Sequence, residues 1–385
     1  MTTAESLRQR GYDGDLVLLD RDKEFPYNRP PLSKELLAGE LDEDDIRLVT
    51  PDLVAELDID LRLGTQAEEL RVEEKILDTS GGPVGFDRLV IATGAAPVLP
   101  ADWAGLTGVT ALRTLDDART ILAALDRGPR VVVVGGGFIG CEVAASMRRR
   151  GAKVTIVEAA PTLMARVLDP RTSAPITRLH ESADISVRCG TPVSRLVGSG
   201  AVEAVELADG TRVEADLVVV GLGARPVTGW LASSGIPIEN GVRADATLRV
   251  APGVYAVGDV VSYDDGTPTG RRVEHWTSAR EHGVLVAANL LDPDNASPVS
   301  GPSYVWSDQH GRRIQIVGDG SGDQVRFADF GDDGGYLAFV GNRERVTGLV
   351  GVDRPRPFRD GRRLVEAEAD WAMVEDAGWR IEVKE

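Results

Sequence analysis

Three glycines and one glutamate in the middle of the chain have the spacing of a dinucleotide-binding site. Gly135, Gly137 and Gly140 form the pattern GxGxxG, and Glu158 follows further along. The first glycine permits a tight turn, the second lets a pyrophosphate approach the backbone, and the third lets a helix pack closely on a sheet. A carboxylate about 20 residues into such a unit can hold an adenine-ribose 2′-hydroxyl, and Glu158 has that position.

The segments around the glycines predict the elements that such a site requires. Val131–Val134 is apolar and β-branched throughout, which favours a strand buried on both faces. Phe138–Arg150 has helical periodicity and is followed by Gly151, a natural helix terminator, and Lys153–Val157 predicts the next strand. A glycine-rich turn alone is weak evidence, but strand, turn, helix, strand and acidic residue in this order favour a nucleotide site.

Glu158 also predicts which nicotinamide cofactor is used. A carboxylate repels a 2′-phosphate, and the next residues, Ala159 and Ala160, offer no arginine to receive one. We therefore expect NADH rather than NADPH.

Composition excludes several classes of function. The chain has 385 residues and a net charge of −18, which argues against general nucleic-acid binding. No apolar run reaches the roughly 20 residues that span a bilayer, and no signal peptide opens the chain, so we expect a cytoplasmic protein without a membrane segment. Cys141 and Cys189 form no CxxC motif, and the four histidines have no metal-ligand spacing, so no metal site is expected.

The rest of the chain predicts further α/β structure, followed by a C-terminal part with an antiparallel sheet. Strands are expected at Leu16–Leu19, Leu89–Ala92 and Leu217–Val220, and a helix at Thr277–Leu291. Residues 292–303 read as a linker. Alternating segments beyond it predict a small antiparallel sheet, followed by a helix near Arg362–Ala377.

Several segments together resemble one family, the FAD-dependent, NADH-using ferredoxin reductases of the glutathione-reductase-like fold. These proteins are the reductase components of bacterial oxygenase and cytochrome P-450 electron-transfer chains. The matching segments cover almost the whole chain in the family's order: GYDGDLVLLDRDKEFPYNRPPLSKELL, DRLVIATGAAP, LRTLDDA, VVVVGGGFIGCEVA, GVYAVGDV, RVEHWTSAREHG and VWSDQHGRRIQIVG.

The resemblance implies an α/β fold with two doubly wound dinucleotide-binding domains, one for FAD and one for NAD, and a small α+β C-terminal domain. The FAD-binding domain is expected to be discontinuous, at residues 1–109 and 231–298. The NAD-binding domain would occupy residues 110–230, and the C-terminal domain residues 299–385.

Matching by position also implies the residues that contact the cofactors. Asp259 would accept hydrogen bonds from ribityl hydroxyls, and Arg113 would place a permanent cation near flavin or phosphate oxygens. The carboxylate for the FAD adenosine would be Asp20 or Asp22. Trp306 would either approach the flavin or nicotinamide or pack a core. The other expected contacts are Arg29, Lys34, Thr93, Gly94, Phe138, Ile139, Glu142, Gly223, Gly258 and Trp276.

The resemblance further pairs Lys34 with Glu142 as the catalytic residues beside the flavin. Glu142 lies on the first helical turn after the glycine motif, where the nicotinamide is expected to stack. Two plainer interpretations stay open: Glu142 complements the helix dipole, and Lys34 is a solvated loop residue.

The family begins with a strand and a GxGxxG motif that hold the FAD pyrophosphate, whereas here Thr3–Arg10 matches the end of the helix that follows them. Either the natural start lies upstream, or this is a short variant with weak or no FAD binding. We expect the former, because downstream residues such as Asp259 and Trp276 are kept.

Two functions are therefore weighed. The first is a reductase that passes electrons from NADH through FAD to a 2Fe–2S ferredoxin, which docks on the arginines of the segment DRPRPFRDGRRL unless these are only solvated. The second is an FAD-deficient NADH-binding or redox-responsive protein. A disulfide-reductase route lacks its cysteine pair, and an NADH oxidase or peroxidase lacks its reactive cysteine. The identity of the ferredoxin and oxygenase and the oligomeric state stay open.

Overall fold

The computed structural model describes residues 1–330, 333–379 and 382–383. The chain forms two compact units. The first unit contains Met1–Asn28, Glu43–Ala96 and Ala224–Ser300, and the second contains Arg29–Asp42, Pro97–Gly223 and the described part of Gly301–Glu385. The expected α/β class is confirmed, whereas the domain boundaries at residues 110, 231 and 299 stay predictions.

A five-stranded parallel sheet forms the centre of the second unit. Its strands lie in the order Ser186–Cys189, Lys153–Glu158, Arg130–Val134, Leu217–Val220 and Val109–Ala111. The middle strand is buried from Val131 to Val134, as its unbroken apolar sequence predicted. Helices of the same unit are Leu115–Leu125, Phe138–Arg149 and Pro170–Ser182.

Smaller elements complete this part of the second unit. The Pro-rich segment forms a 3-10 turn, Pro30–Ser33, and a short helix, Glu35–Ala38. An antiparallel sheet contains Val193–Ser199, Ala201–Leu207 and Arg212–Glu214.

The C-terminal part of the second unit is an antiparallel sheet, as the alternating sequence predicted. Within the described residues its six strands lie in the order Tyr304–Gln309, Arg312–Gly318, Val346–Val352, Tyr336–Gly341, Gln324–Phe330 and Glu382–Val383.

The prediction of a single helix near Arg362–Ala377 is wrong. The structure has two helices there, Pro355–Glu366 and Trp371–Asp376. The first ends because Glu368 adopts a left-handed backbone conformation with φ +49°. The second begins because the Asp370 side chain accepts a hydrogen bond from the Met373 N–H at 2.8 Å.

The first unit contains small sheets and a long helix, Trp276–Leu291. That helix begins one residue before the expected Thr277, because the side chain of His275 accepts a hydrogen bond from the Thr277 N–H. A Cβ on Gly283 would lie 3.1 Å from the Thr2 Cβ, so the glycine allows the helix Thr2–Gln9 to pack closely against it.

The remaining elements of this unit are short. Parallel strand pairs are Leu16–Leu19 with Ile59–Arg62, Leu89–Ile91 with Val254–Ala256, and Val242–Ala244 with Val261–Tyr263. Arg249–Ala251 pairs antiparallel with Val254–Ala256, and Ala67–Arg71, Ile76–Thr79 and Val84–Gly85 form an antiparallel sheet. Ala95–Pro97 pairs with Ala224–Pro226. The helix Pro51–Glu56 and the 3-10 turns Gly229–Leu231, Gly258–Val260 and Pro293–Asn295 connect them.

Among the helices that the structure describes, none combines the length and the apolar character required to cross a membrane.

Candidate dinucleotide site and buried carboxylate

The three motif glycines meet different surroundings. Gly135 has φ +109°, and a Cβ there would lie 2.3 Å from the carbonyl oxygen of Gly221. A Cβ on Gly140 would lie 2.0 Å from the carbonyl oxygen of Gly135, whereas one on Gly137 would meet nothing within 4 Å. The outer two glycines are therefore required by the fold, and the middle one borders open space. That open space next to a helix N-terminus fits the pyrophosphate of a dinucleotide.

Glu158 lies at the end of the strand next to the glycine turn. Its carboxylate accepts hydrogen bonds from the N–H of Gly136 at 2.6 Å and from the N–H of Ala160 at 2.8 Å. Each carboxylate oxygen retains capacity for a second donor, so a ribose hydroxyl can still bind. The sequence did not reveal that Glu158 also fixes the turn through Gly136.

We expect the catalytic efficiency, kcat/KM, to be at least about tenfold higher with NADH than with NADPH, a difference of about 1.4 kcal/mol. The reason is repulsion between the Glu158 carboxylate and a 2′-phosphate. The measurement is the ratio of kcat/KM for the two cofactors with a dye acceptor. Glu158→Gln should narrow that ratio, whereas Glu181→Gln, an exposed control, should leave it unchanged. A wild-type preference for NADPH would contradict the role of Glu158.

Lys34 and Glu142 form a buried ion pair in the second unit. The Lys34 Nζ lies 2.9 Å from the Glu142 Oε2, and the side chains are 9% and 3% exposed. Lys34 is therefore not a solvated loop residue, and Glu142 does more than complement the helix dipole. The Ser33 hydroxyl donates to the same oxygen, and the Ser307 hydroxyl donates to the Glu142 Oε1 at 2.6 Å.

Neighbouring elements hold this pair in place. The Ser146 hydroxyl, on the same helix as Glu142, donates to the carbonyl oxygens of Ser33 at 2.8 Å and Lys34 at 3.3 Å. The end of the 3-10 turn, which Lys34 directly follows, is thus fastened to the helix that carries Glu142. Ser33 and Ser307 were missed as site residues, although both lie inside the matched segments RPPLSK and VWSDQH.

Trp306 lies between two cations and is only partly buried. Its ring centroid is 5.1 Å from the Lys34 Nζ and 4.8 Å from the Arg313 Cζ. Such contacts between a cation and an aromatic face are favourable and orient the ring. Trp306 is therefore not simply a core residue, and its contact with a cofactor stays a prediction.

Five other residues of the second unit were expected to contact a cofactor. An Arg29 Nη1 donates to the carbonyl oxygen of Arg113 at 2.8 Å, so these two residues are brought together. Gly223 has φ +100°, and the Arg166 guanidinium occupies the space that a Cβ there would need. At the start of the motif helix, Phe138 is half-buried, whereas Ile139 is 46% exposed.

In the first unit, Gly258 and Asp259 form a turn against the helix Trp276–Leu291. Gly258 has φ +72°, and a Cβ there would lie 3.3 Å from the Ala279 Cβ, so the turn approaches the helix as closely as a glycine allows. Asp259 is half-buried beside it. A carboxylate held on such a turn fits the ribityl hydroxyls of FAD.

Other expected FAD contacts of this unit are held by hydrogen bonds to residues distant in the sequence. The Trp276 Nε1 donates to the Asn28 Oδ1 at 3.2 Å, and the Thr93 hydroxyl donates to the carbonyl oxygen of Val227 at 2.9 Å. The Gly94 carbonyl accepts from the Val227 N–H at 3.0 Å. Their roles towards FAD stay predictions.

Asp20 and Asp22 have different partners. The Asp20 carboxylate accepts from the Asp22 N–H at 2.9 Å, and that of Asp22 accepts from the Tyr27 hydroxyl at 3.0 Å. Both remain candidates for the adenosine carboxylate.

The cysteines have the properties of inert thiols. Burial raises the pKa of the Cys141 thiol far above its usual range and raises the pKa of Cys189 to about 11. Neither thiol is poised to form a nucleophilic thiolate at neutral pH. The described residues contain no group of His, Cys, Asp and Glu side chains that could hold a metal ion.

Two buried histidines predict acid sensitivity. Burial lowers the pKa of His180 to about 4, with Gln309 and His310 facing it, and lowers the pKa of His282 to about 4, with Asp259 nearby. Well above pH 6.5 both imidazoles are neutral in the folded and unfolded states. As the pH falls from 6.5 towards 4, only the unfolded state gains the protons, so stability decreases.

We expect the free energy of unfolding to fall by about 2 kcal/mol per histidine between pH 7 and pH 5. Urea denaturation at the two pH values measures this. Equal stability at both would show that the imidazoles ionise as readily in the folded protein as in the unfolded chain.

Residues 1–283 match the family described as pyridine nucleotide-disulphide oxidoreductase, and residues 304–384 match the reductase C-terminal domain. The chain belongs to the pyridine nucleotide-disulphide oxidoreductase family. The family resemblance seen in the sequence is confirmed.

Relatives within this family have names that specify their reactions. The chain is 36% identical to the ferredoxin reductase component of chlorobenzene dioxygenase from Cupriavidus sp., over 96% of this chain and 90% of that protein. It is 35% identical to the ferredoxin–NAD(+) reductase component of the p-cumate 2,3-dioxygenase system of Pseudomonas putida, over 95% and 90%. The crystal structure of the covalent putidaredoxin reductase–putidaredoxin complex matches with a TM-score of 0.89 and 30% identity, over 95% and 90%.

Proposed function

We propose that this protein is an FAD flavoprotein that passes electrons from NADH to a 2Fe–2S ferredoxin of an oxygenase or cytochrome P-450 system. The observation that carries the proposal is the buried Lys34–Glu142 pair in the same unit as a complete dinucleotide turn. Relatives of nearly full length are named as ferredoxin reductase components of dioxygenases, which supports this reaction and this class of partner.

The chain offers suitable residues for both cofactors. NADH would bind at the Gly137 turn with its ribose at Glu158, and FAD would use the Gly258–Asp259 turn and Trp276 among its contacts. When bound, FAD accepts a hydride as a pair of electrons and releases the electrons singly.

The buried pair supplies fixed charge. Glu142 holds the Lys34 ammonium in one position, because two other donors, the hydroxyls of Ser33 and Ser307, fix the carboxylate itself. A positive charge that is oriented before the reaction stabilises negative charge that develops during hydride transfer. Since NADH is formed inside the cell, we place the reaction in the cytoplasm.

The test is purification followed by spectroscopy and turnover. We expect a yellow protein with flavin absorbance that reduces a 2Fe–2S ferredoxin with NADH. A colourless protein that cannot be reconstituted with FAD, yet binds NADH, would overturn the proposal in favour of an NADH-binding protein without reductase activity.

Docking of an acidic ferredoxin requires a local basic surface, because the whole chain carries a net charge of −18. Arg354 is ion-paired with Asp333 at 2.8 Å, and Arg362 is ion-paired with Glu366 at 2.7 Å. Arg356, Arg359 and Arg363 are exposed on the helix Pro355–Glu366, and the Arg359 Nε lies 3.7 Å from the Asp360 Oδ1. These three residues, which we call the arginine face, form the docking candidate.

We expect the double variant Arg356→Glu with Arg359→Glu to lower kcat/KM for ferredoxin about tenfold at low salt, since charge reversal weakens encounter with an acidic partner. Turnover with a small dye acceptor should stay unchanged. Arg127→Glu, at an exposed position just after the helix Leu115–Leu125, serves as the control. If both acceptors were affected equally, the arginine face would not be the docking surface.

A further inference from the structure

A row of polar side chains in the second unit, buried except for the partly buried His310, leads from Glu142 to His310. We call it the polar row and define it by Ser307, Gln309, His180 and His310. Its hydrogen bonds join the Ser307 Oγ to the Glu142 Oε1 at 2.6 Å, the Gln309 Nε2 to the Ser307 Oγ at 3.0 Å, the His180 Nε2 to the Gln309 Oε1 at 2.9 Å, and the His310 Nε2 to the His180 Nδ1 at 3.0 Å.

The polar row joins separate elements of the fold. Ser307 and Gln309 lie on one face of the strand Tyr304–Gln309, because alternate residues of a strand share a face. His180 comes from the helix Pro170–Ser182. Ser307 and His180 are 0% exposed and Gln309 is 1% exposed. Polar groups buried so completely are costly unless each has a partner, so the partners constrain one another.

The row has one consistent direction of hydrogen donation. The Glu142 carboxylate can only accept, so the Ser307 hydroxyl donates to it, and Ser307 must then accept from the Gln309 amide nitrogen. The Gln309 oxygen therefore faces His180, whose Nε2 donates and whose Nδ1 accepts from His310. Reversing the amide would make Ser307 donate to Gln309 and would deprive the Glu142 Oε1 of this donor.

The far end of the row supports this direction. Burial lowers the pKa of His180 to about 4, so the imidazole is neutral at pH 7 and its Nδ1 is free to accept. Burial also lowers the pKa of His310, with Arg149 adding to the effect. The row does not conduct protons, because an amide would have to tautomerise to pass one on. Its effect on Glu142 is therefore one of orientation.

We propose that Gln309, acting through Ser307, is a positioning residue that fixes the Glu142 carboxylate against Lys34, and that His180 and His310 hold the Gln309 amide in the donating orientation. The inference rests on the proposed function for its kinetic consequence. Its structural part, the direction of the hydrogen bonds, holds whatever reaction the protein catalyses.

Two variants of Gln309 separate orientation from mere burial. Gln309→Leu removes the donor to Ser307 and the acceptor for His180, and we expect kcat with NADH to fall about tenfold while KM changes less than twofold, the split expected when positioning rather than binding is lost. Gln309→Met keeps the length and apolar packing of the side chain but has neither the amide donor nor the amide acceptor. It should therefore lose a similar factor in kcat.

Matched variants control for stability and coupling. Tyr336→Phe deletes another buried hydrogen bond of the same unit, to the carbonyl oxygen of Thr172, and should leave kcat unchanged. Ser307→Ala should reproduce the loss in kcat, and combining it with Gln309→Leu should add nothing, because both act through one hydroxyl. Ser307→Ala also decides the kinetic question if Gln309→Leu does not fold.

A readout that needs no turnover decides the direction of the row. In nitrogen-15 spectra of histidine-labelled protein at pH 7, we expect His180 to carry its proton on Nε2 and none on Nδ1, and Gln309→Leu to change this signal. A proton on Nδ1 in the wild type would overturn the proposal, as would unchanged kcat in Gln309→Leu and Ser307→Ala. If the protein did not oxidise NADH at all, the proposed function would fail while the spectra would still report the row.

Discussion

Gly140→Ala is expected to destabilise the second unit by about 3 kcal/mol or more, near the upper end of what overpacking costs. The new Cβ would lie 2.0 Å from the Gly135 carbonyl oxygen and 3.3 Å from the Val133 Cγ1. Its close neighbour is backbone, which cannot rotate away as a flexible side chain would. The helix would have to move off the central strand Arg130–Val134, where every residue from Val131 onward is buried. Urea denaturation of the purified protein measures the loss.

Gly137→Ala is the matched comparison. Gly137 is the N-cap of the helix with φ −77° and ψ −173°, an extended conformation that alanine adopts freely, and a Cβ there meets nothing within 4 Å. We expect a loss of stability below about 1 kcal/mol, the usual cost of alanine at an N-cap. NADH should bind at least about tenfold more weakly, because the methyl group occupies the space that the pyrophosphate needs.

The two glycines thus test separate statements about one motif. Normal stability in Gly140→Ala would contradict the close packing of helix and strand. Unchanged NADH affinity in Gly137→Ala would move the pyrophosphate away from this turn, even if the protein remained an NADH enzyme.

The sequence predicted the dinucleotide unit well because its signals are local. The buried strand Arg130–Val134, the turn and the strand Lys153–Glu158 each depend on residues close to one another in the chain, and no tertiary partner had to be guessed. The C-terminal strands were also recognised from local sequence, although Tyr336–Gly341 is buried at every residue rather than on one face only.

Other features depend on contacts between distant segments and were not predictable from one sequence. Nothing near His180 in the chain indicates that it faces Gln309. The pattern of the helix Pro170–Ser182 can indicate that His180 is buried, but not which residue lies opposite it. In the sequence, Ser307 is one polar residue of an expected strand. The structure shows that its hydroxyl donates a hydrogen bond to the Glu142 carboxylate. The break between the last two helices was missed because an aspartate that caps a helix cannot be told, from sequence, from an acidic residue on the helix surface. Asp370 is such a cap.

The family resemblance supplied what local pattern could not. It paired Lys34 with Glu142 across the chain, and the structure shows the pair buried and bonded. It did not indicate Ser33 and Ser307, whose hydroxyls donate the other hydrogen bonds to the carboxylate. The arrangement of these donors follows from burial, since an incompletely paired carboxylate at 3% exposure would be costly.

The largest effect on turnover is expected at this pair. Glu142→Gln should lower kcat with NADH about 100-fold, equivalent to about 2.7 kcal/mol of lost stabilisation. The amide nitrogen would point its N–H groups either at the Lys34 ammonium and the Ser33 hydroxyl or at the Ser307 hydroxyl, all of which now donate to the carboxylate. Lys34→Ala should lose a similar factor and should also destabilise the protein by about 3 kcal/mol, because it leaves a buried carboxylate without its cation.

A variant that removes both charges separates catalysis from folding. Replacing a buried ion pair by apolar residues of similar volume is often neutral for stability, so Lys34→Met combined with Glu142→Leu should be more stable than Lys34→Ala. It should lose only the stability that the Ser33 and Ser307 hydroxyls lose with their acceptor. Its kcat should nonetheless remain about 100-fold below that of the wild type, because the fixed positive charge is gone. Stopped-flow mixing with NADH and urea denaturation measure the two quantities on one preparation. Recovery of wild-type kcat in this variant would show that the pair serves the fold alone, and that hydride transfer takes place without a charge at Lys34.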